Sequence, residues 1–379
     1  MSMYRRFMAL TLLIIVICGV AVAANASTIV AIDGGEFHSL IITGDGEVWG
    51  WGRNSEGQVG SDSGAMILTP AQAKIRDVVA VSCGGRYSIA LKKDGTVWAW
   101  GQNTAGQLGD GKTTNQRTPV RVSGLTDVVA ISTGKEHTVV LQADGTLWSW
   151  GRNQYGQLGD GTTNGSNIPV KGPALSDVVA ISAGGEYTLA LLKDGSVWAW
   201  GRNNRGQLGN GTTTDSSTPV RVVGLTGIVA ISAGGEYGAA LQGNGTVWTW
   251  GRGRSGELGY GQKADSSTPV QVVLSDVIAI SAGNEHGLAL KKDGTVWAWG
   301  KNGLGQLGNG TETDAISPVQ VSGLANVTAI SASDLEHSLA LTQSGELWVW
   351  GRNSHAQLGD GTQDNKNKPT LINTKMLGD

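Results

Sequence analysis

Seven copies of one word, Trp-x-Trp-Gly, divide this chain, and they hold every one of its 14 tryptophans. The first indole of each copy stands at Trp49, Trp98, Trp148, Trp198, Trp248, Trp297 and Trp348, so successive copies lie 49 to 51 residues apart. The second stands two residues on, at Trp51, Trp100, Trp150, Trp200, Trp250, Trp299 and Trp350. A period of that length marks a structural repeat, whose units cover their apolar surface by stacking on one another. All fourteen tryptophans are therefore read as structural.

Within a repeat the chemistry is that of strands. In the copy that starts at Asp177, short apolar runs such as Thr188–Leu192 and Val197–Trp200 are bounded by Gly, Asp-Gly or Pro. Asp-Gly at 94–95, 144–145, 194–195 and 293–294, like Asn244-Gly245, sits between two such runs and tolerates the positive φ of a two-residue hairpin turn. About four antiparallel strands per repeat follow, A to D. Trp198 and Trp200 project to one side and Val197 and Ala199 to the other, so both faces of each sheet are apolar and need cover. An open stack would turn polar at its ends, yet the first copy keeps Trp49 and Trp51 and the last keeps Trp348 and Trp350. The sequence predicts an all-β, seven-bladed propeller over residues 27–379, with repeats near 27–76, 77–126, 127–176, 177–226, 227–275, 276–325 and 326–379. How the ring closes is left open by the sequence.

Residues 1–26 stand outside the repeat. Arg5 and Arg6, an apolar run from Phe7 to Val22, and Ala24-Asn25-Ala26 have the three-part layout of a secretory signal peptide, with cleavage expected after Ala26 and a second point at Ala23. The run is short for a membrane span, and an uncleaved anchor is the alternative. The expectation is a secreted or periplasmic protein without stable membrane insertion.

Bulk composition narrows the partners. The formal net charge is -3 and charged residues are 16% of the chain, so no basic stripe for nucleic acid is evident. The 59 glycines keep register with the repeat and read as turns. Cys83 takes a place held elsewhere by Ala183, Ala233 and Ala282, which makes it a small buried side chain; Cys18 lies in the leader, leaving no internal disulfide for the mature chain.

Three columns of the repeat carry polar chemistry. At the A–B turn stand His38, Tyr87, His137, Tyr187, Tyr237, His286 and His337, read as polar tips that bond their own or the next blade rather than a metal. Just before them stand Phe37, Arg86, Glu136, Glu186, Glu236, Glu285 and Glu336. The C–D loops begin with Arg53, Gln102, Arg152, Arg202, Arg252, Lys301 and Arg352, and pairing between these two rings is the economical reading. The Gly-x-Gly-Thr runs lack the Lys of a phosphate loop and the carboxylates of a calcium loop, and no hydrolase signature occurs. No cofactor or metal is expected. The freest positions lie before Gly-Gln-Leu-Gly in the C–D loops, where Tyr155, Arg205, Leu304 and His355 are large, expected to be exposed, and candidates for partner binding.

The full word, Ala-Ile-Ser-Ala-Gly-Gly-Glu-Tyr, Leu-Ala-Leu, Asp-Gly, Val-Trp-Ala-Trp-Gly-Arg-Asn, Gly-Gln-Leu-Gly-x-Gly and Pro-Val, resembles the RCC1 repeat, named for the regulator of chromosome condensation. The resemblance runs from Ser27 to Ile372. It implies a seven-bladed propeller. Similar proteins include a nuclear exchange factor for a small GTPase, a plant photoreceptor, ubiquitin-ligase modules and a secreted bacterial inhibitor of β-lactamase, which share the display of loops to a protein partner. The even repeat spacing leaves no room for the inserted wedge of the exchange factor, and no functional residue transfers. The expectation is an exported, non-catalytic, monomeric scaffold that binds a protein. The alternatives are an exchange-factor-like regulator, and a small-molecule, carbohydrate or enzymatic site in the central channel.

Overall fold

The computed structural model describes residues 27–374 and Leu377, so the leader expected at 1–26 lies outside the described residues. It holds seven four-stranded antiparallel sheets. In blade 1 strand A is Ile29–Gly34, B is His38–Thr43, C is Val48–Arg53 and D is Met66–Gln72. Blades 2 to 7 repeat that order from Val78, Val128, Val178, Ile228, Val277 and Val327, the last ending at Leu371. Each blade is one continuous stretch of chain, and strand order in each sheet follows sequence order. The A strands of neighbouring blades touch all the way round, blade 7 to blade 1 included, so they line the centre. The D strands lie outermost and carry exposed apolar residues such as Leu68, Ile168 and Leu371. Among the described residues there is no helix long and apolar enough to cross a membrane.

The two tryptophans of each word meet different fates. The second is fully buried in every blade, while the first is half-buried. The buried indole faces the preceding blade and donates Nε1–H to the backbone carbonyl of the Gln in that blade's Gly-Gln-Leu-Gly, as Trp100 does to Gln58 O (2.8 Å) and Trp250 to Gln207 O (2.9 Å). Where Glu257 replaces the Gln, its carbonyl still accepts from Trp299 at 2.8 Å. A backbone acceptor is independent of side chain, which is why the bond survives that change. The last glycine of Gly-Gln-Leu-Gly packs against the indole of the next blade: a Cβ at Gly209, whose φ is 61°, would stand 2.8 Å from Trp250 Cδ1.

Ring closure uses the same bond. Trp51 donates to Gln357 O (2.8 Å), Ser39 Oγ donates to the same carbonyl (2.9 Å), and one core cluster joins Ile41 and Trp51 to Leu339, Leu341, Val349 and Leu358. The ring is thus closed by packing and hydrogen bonds between blades 7 and 1, with no blade shared between the chain ends. Cys83 is a buried free thiol, pushed upward by burial and by Asp33, packed with Ala90 and Trp100.

Candidate interaction face

Antiparallel pairing brings every A–B turn and C–D loop to one end of its blade. They are stitched together there: Arg53 N–H donates to Phe37 O (2.9 Å), Gln102 N–H to Arg86 O (2.9 Å), and the other blades follow. Within the C–D loop one buried Asn does most of the shaping. Asn203 Nδ2 donates to Thr212 O (3.1 Å) and Thr214 O (3.0 Å), while its Oδ1 accepts from Leu208 N–H (2.9 Å). A single amide satisfying several backbone groups holds the loop rigid without a strand. In blade 5 that residue is Gly253, which lacks the amide but keeps the backbone bond of the other loops: its N–H donates to Asp265 Oδ1 (3.1 Å), as Asn203 N–H does to Asp215 Oδ1 (2.7 Å).

The four candidate partner-binding residues sit in these loops, but half-buried instead of exposed. Their backbone N–H groups donate to the Gln side chains two residues on: Tyr155 to Gln157, Arg205 to Gln207, Leu304 to Gln306 and His355 to Gln357, at 2.8 to 3.0 Å. Three of the side chains reach across the seam to the next blade. Tyr155 lies under the Arg202 guanidinium (5.0 Å to the ring centre), Arg205 reaches Asp265 (3.5 Å), and His355 meets Phe37 edge-on (4.7 Å, 60°). The exposed residue of each variable pair is the one before: Gln154, Asn204, Gly303 and Ser354.

The His and Tyr column is wholly internal. Tyr187 and Tyr237 donate to the carbonyl of the residue at their own place in the next blade, Tyr237 O and His286 O. The histidines reach one atom less far and bond a hydroxyl there: His38 to Ser88 (2.7 Å), His137 to Thr188 (3.0 Å), His286 to Ser338 (2.9 Å), and His337 across the closure to Ser39 (2.9 Å). Each hydroxyl gives its own proton to the Gln carbonyl of the seam, so the imidazole Nε2 carries the hydrogen. Burial pushes His38, His137 and His337 down to about 3 and His286 to about 4, so all four are neutral at physiological pH.

The acidic and basic columns form a belt that crosses blade seams. Arg152 pairs with Glu136 (2.5 Å), and Arg202 with Glu186 and with Glu236 (3.6 Å). Arg252 pairs with Glu236 and Glu285, Lys301 with Glu285 and Glu336 (2.6 Å each), and Arg352 with Glu336 (3.4 Å). Burial pulls the Glu285 carboxyl upward, but Lys301 and Arg252 outweigh it and hold it below the usual range. Buried Glu257, against Arg252 (3.4 Å), is raised by desolvation.

The belt breaks at blades 1 and 2. Phe37 and Arg86 stand where the other blades have Glu, and Gln102 where they have Arg or Lys. The Arg53 and Arg86 guanidiniums both lie 5.4 Å from the Phe37 ring centre, with His355 at its edge. Beside them Glu36 pairs with Arg86 (4.0 Å) and Lys135 (3.6 Å), on a shallow cavity of about 200 Å³ that also touches Gln102 and Glu136. At the channel edge of the same arc strand A departs too. Elsewhere a strand-A Ser accepts a backbone N–H of the next blade, as Ser182 does from Ala233 (2.9 Å); here Asp33 accepts from Cys83 (2.7 Å). Blade 7 adds one residue to its A–B turn, bringing in Asp334. Desolvation raises Asp33 to about 6 and, with repulsion from Glu36 and Asp33, Asp334 to about 8. Phe37 was visible in sequence as a departure within its column; its seat between two guanidiniums was not.

A family description for the RCC1-like domain matches residues 15–223 and 124–378. The chain belongs to the RCC1-like domain family. This RCC1-like propeller superposes on human WBSCR16 with a TM-score of 0.79 and 24% identity, over 86% of this chain and 94% of that one. It matches Prp20p of Saccharomyces cerevisiae at 0.77 and 22%, over 92% and 88%. At such identities the likeness is one of fold. Closer sequence likeness is local: 44% over 52 residues of mouse Protein RCC2, and 56% over 39 residues of the mouse secretion-regulating guanine nucleotide exchange factor. Those segments cover 14% and 10% of this chain and only 10% and 8% of the two relatives.

Proposed function

We propose that this RCC1-like propeller is an exported, non-catalytic scaffold that binds a protein partner through its A–B/C–D face, centred on the arc from blade 7 to blade 2. The observation that carries the reading is the Phe37 ring flanked by Arg53 and Arg86. In that arc an aromatic ring held between two arginines, which pair sideways with Glu56 (3.1 Å) and Glu36 (4.0 Å), replaces the regular Glu–Arg belt. Aromatic and Arg side chains on a rigid support are the usual anchors of a protein interface. A propeller of this fold, Prp20p, is described with binding to Gsp1p and histones, which supports protein binding as the use of the scaffold. Tyr155, Arg205, Leu304 and His355 then act as the rim, with their exposed neighbours making contact. Export rests on the layout of residues 1–26.

A photo-crosslinking side chain placed at Phe37 tests the site, with a second at Thr226 on the opposite end of the ring as control. A discrete adduct at position 37, absent at 226 and abolished by Arg53→Glu with Arg86→Glu, supports the reading; equal adducts at both ends refute it. N-terminal sequencing of the protein from the extracytoplasmic fraction should begin at Ser27. Retention in the cytosol with accelerated nucleotide release from a small GTPase would favour the exchange-factor alternative.

A further inference from the structure

At the opposite end of the ring, the half-buried first tryptophan of most blades is covered by the last side chain of its own strand B. Lys92 places its ammonium 5.8 Å from the Trp98 ring centre, and Lys291 places its own 5.7 Å from that of Trp297. Gln142 and Gln242 accept from the indoles of Trp148 and Trp248. In blade 7 the same position is Thr342, too short to reach, and its hydroxyl bonds Ser344 Oγ in its own turn (2.8 Å). Trp348 packs on the cluster of Val327, Ala340 and Trp350, but the last residue of strand B does not reach across it. The result is an open cavity of about 540 Å³ between blades 6 and 7, floored by Trp348 and Leu324 and rimmed by Asn326, Ser344 and Glu346.

The cavity also gains a carboxylate. Glu346 stands where blades 2 to 6 have Thr or Ser; it accepts from Ser344 Oγ (3.2 Å), and no cation among the described residues pairs with it. In blade 2 the ammonium over the indole is held by a carboxylate as well, Lys92 Nζ lying 3.7 Å from Asp77. Blade 1 also has a short residue, Thr43, but there Glu47 is paired with Arg76 (3.5 Å) and Trp49 packs on the cluster that holds Leu377. Blade 7 has Asn326 in the place of Asp77, but Glu346 supplies an acid from the turn before strand C, so aromatic face and acid line one cavity without the chain's own lysine.

We propose that this cavity binds a primary alkylammonium group, stacked on Trp348 and paired with Glu346, whether from a free amine or from a partner's lysine. A cation over an indole, next to a carboxylate, is attracted by the ring quadrupole and the charge together. The probe is n-butylammonium chloride, with n-butanol as the neutral control, on protein labelled with 5-fluorotryptophan and read by fluorine NMR. The resonance lost in Trp348→Phe should move saturably with the amine, with a dissociation constant of about 1–10 mM, and not with the alcohol. Glu346→Gln should weaken the amine about fivefold or more. Thr342→Lys, which rebuilds the arrangement of blades 2 and 6 and so should fold, should abolish the titration. A Gly-Ser-Lys-Ser-Gly peptide that binds at least as tightly as the amine points to a protein lysine; weaker binding points to a free amine. An unmoved resonance at about 100 mM amine, equal movement with butanol, or a Thr342→Lys protein that titrates like the parent would overturn the proposal.

Discussion

The ion-pair belt of blades 3 to 7 and the arc around Phe37, where blades 1 and 2 meet the Asp334 turn, share a backbone and differ in how their charges are spent. In the first, each Glu of an A–B turn meets an Arg or Lys of its own loop and, from blade 5 onward, of the preceding blade, so the belt neutralises itself. In the second, Phe37 and Arg86 end the acid column, Gln102 interrupts the basic one, and Asp33 and Asp334 bring desolvated carboxyls to the channel edge. A repeat protein needs the first arrangement for cohesion. The second departs from the repeat at a desolvation cost, although Asp33 bonds Ser331 (3.2 Å) and Phe37 meets His355 across the closing seam, and such departures are the pattern expected where a surface also serves something other than folding.

The strongest way to break that contrast is to test whether closure is weaker than the other seams. Trp200→Ala and Trp51→Ala each remove a buried indole and one of the two donors to a seam carbonyl, so each should cost about 3–5 kcal/mol in urea unfolding. Equal losses would show that the seam between blades 7 and 1 is as well built as the rest. A much smaller loss at Trp51 would place the weakness at closure and weaken the case for a functional arc.

The next pair separates cohesion from recognition. Glu285 is nearly buried between Arg252 and Lys301, and Glu285→Ala should cost about 1–3 kcal/mol, between the values for exposed and buried ion pairs, while leaving partner capture intact. Phe37→Ala should cost only about 1 kcal/mol, since the ring is half-buried, yet reduce partner capture about tenfold or more. The reverse pattern would make the belt the interface.

Much of this was legible. Both apolar faces of the Trp-x-Trp strands demanded a ring, and complementary Glu and Arg columns announced their pairing. The rest depended on distances that no column displays. Closure rests on a backbone carbonyl, Gln357 O, which a sequence does not distinguish from any other. The two indoles of each word look equivalent, yet the second is sealed against the preceding blade and the first lies near the rim. Tyr155, Arg205 and His355 vary freely because each finds a different partner over the seam, so variation there did not mean exposure.

Asp334 gives the arc a pH signature. Its folded-state pKa of about 8 lies above its ordinary 3.8, so its contribution is fully present below about pH 4 and lost as pH rises through 8. Asp334→Asn should therefore stabilise the ring increasingly from pH 5 to 8, by about 1 kcal/mol at most, because the side chain is only half-buried and water screens it. The histidines act with the opposite sign at the acid end. With folded values near 3 to 4 against an ordinary 6.5, they withdraw stability as pH falls below about 6.5. A thermal melt of the Asn variant that gains nothing between pH 5 and 8 would mean that the carboxyl is solvated and the arc less unusual than described.

The smallest effect probes the last departure of this arc. Ala356 holds a φ of 59° at a place where the other blades have Gly57, Gly106, Gly156, Gly206, Gly256 and Gly305, all at positive φ. The left-handed region costs a residue with a Cβ roughly 1–2 kcal/mol, whereas glycine gives back about 0.4–1 kcal/mol through its freer unfolded chain. The surroundings tilt the balance further: a Cβ at the equivalent Gly305 would stand 2.6 Å from Asn367 Cα, a contact that Ala356 has to relieve locally. Ala356→Gly should therefore stabilise the ring by about 0.5 kcal/mol, seen as a higher urea midpoint at unchanged slope. The reciprocal Gly206→Ala, in the regular arc, should destabilise by more than that, since its Cβ would meet Ser267 Cα at 2.5 Å. If both substitutions destabilise, Ala356 is accommodated by local packing specific to blade 7, and the strain belongs to that one residue and not to the arc.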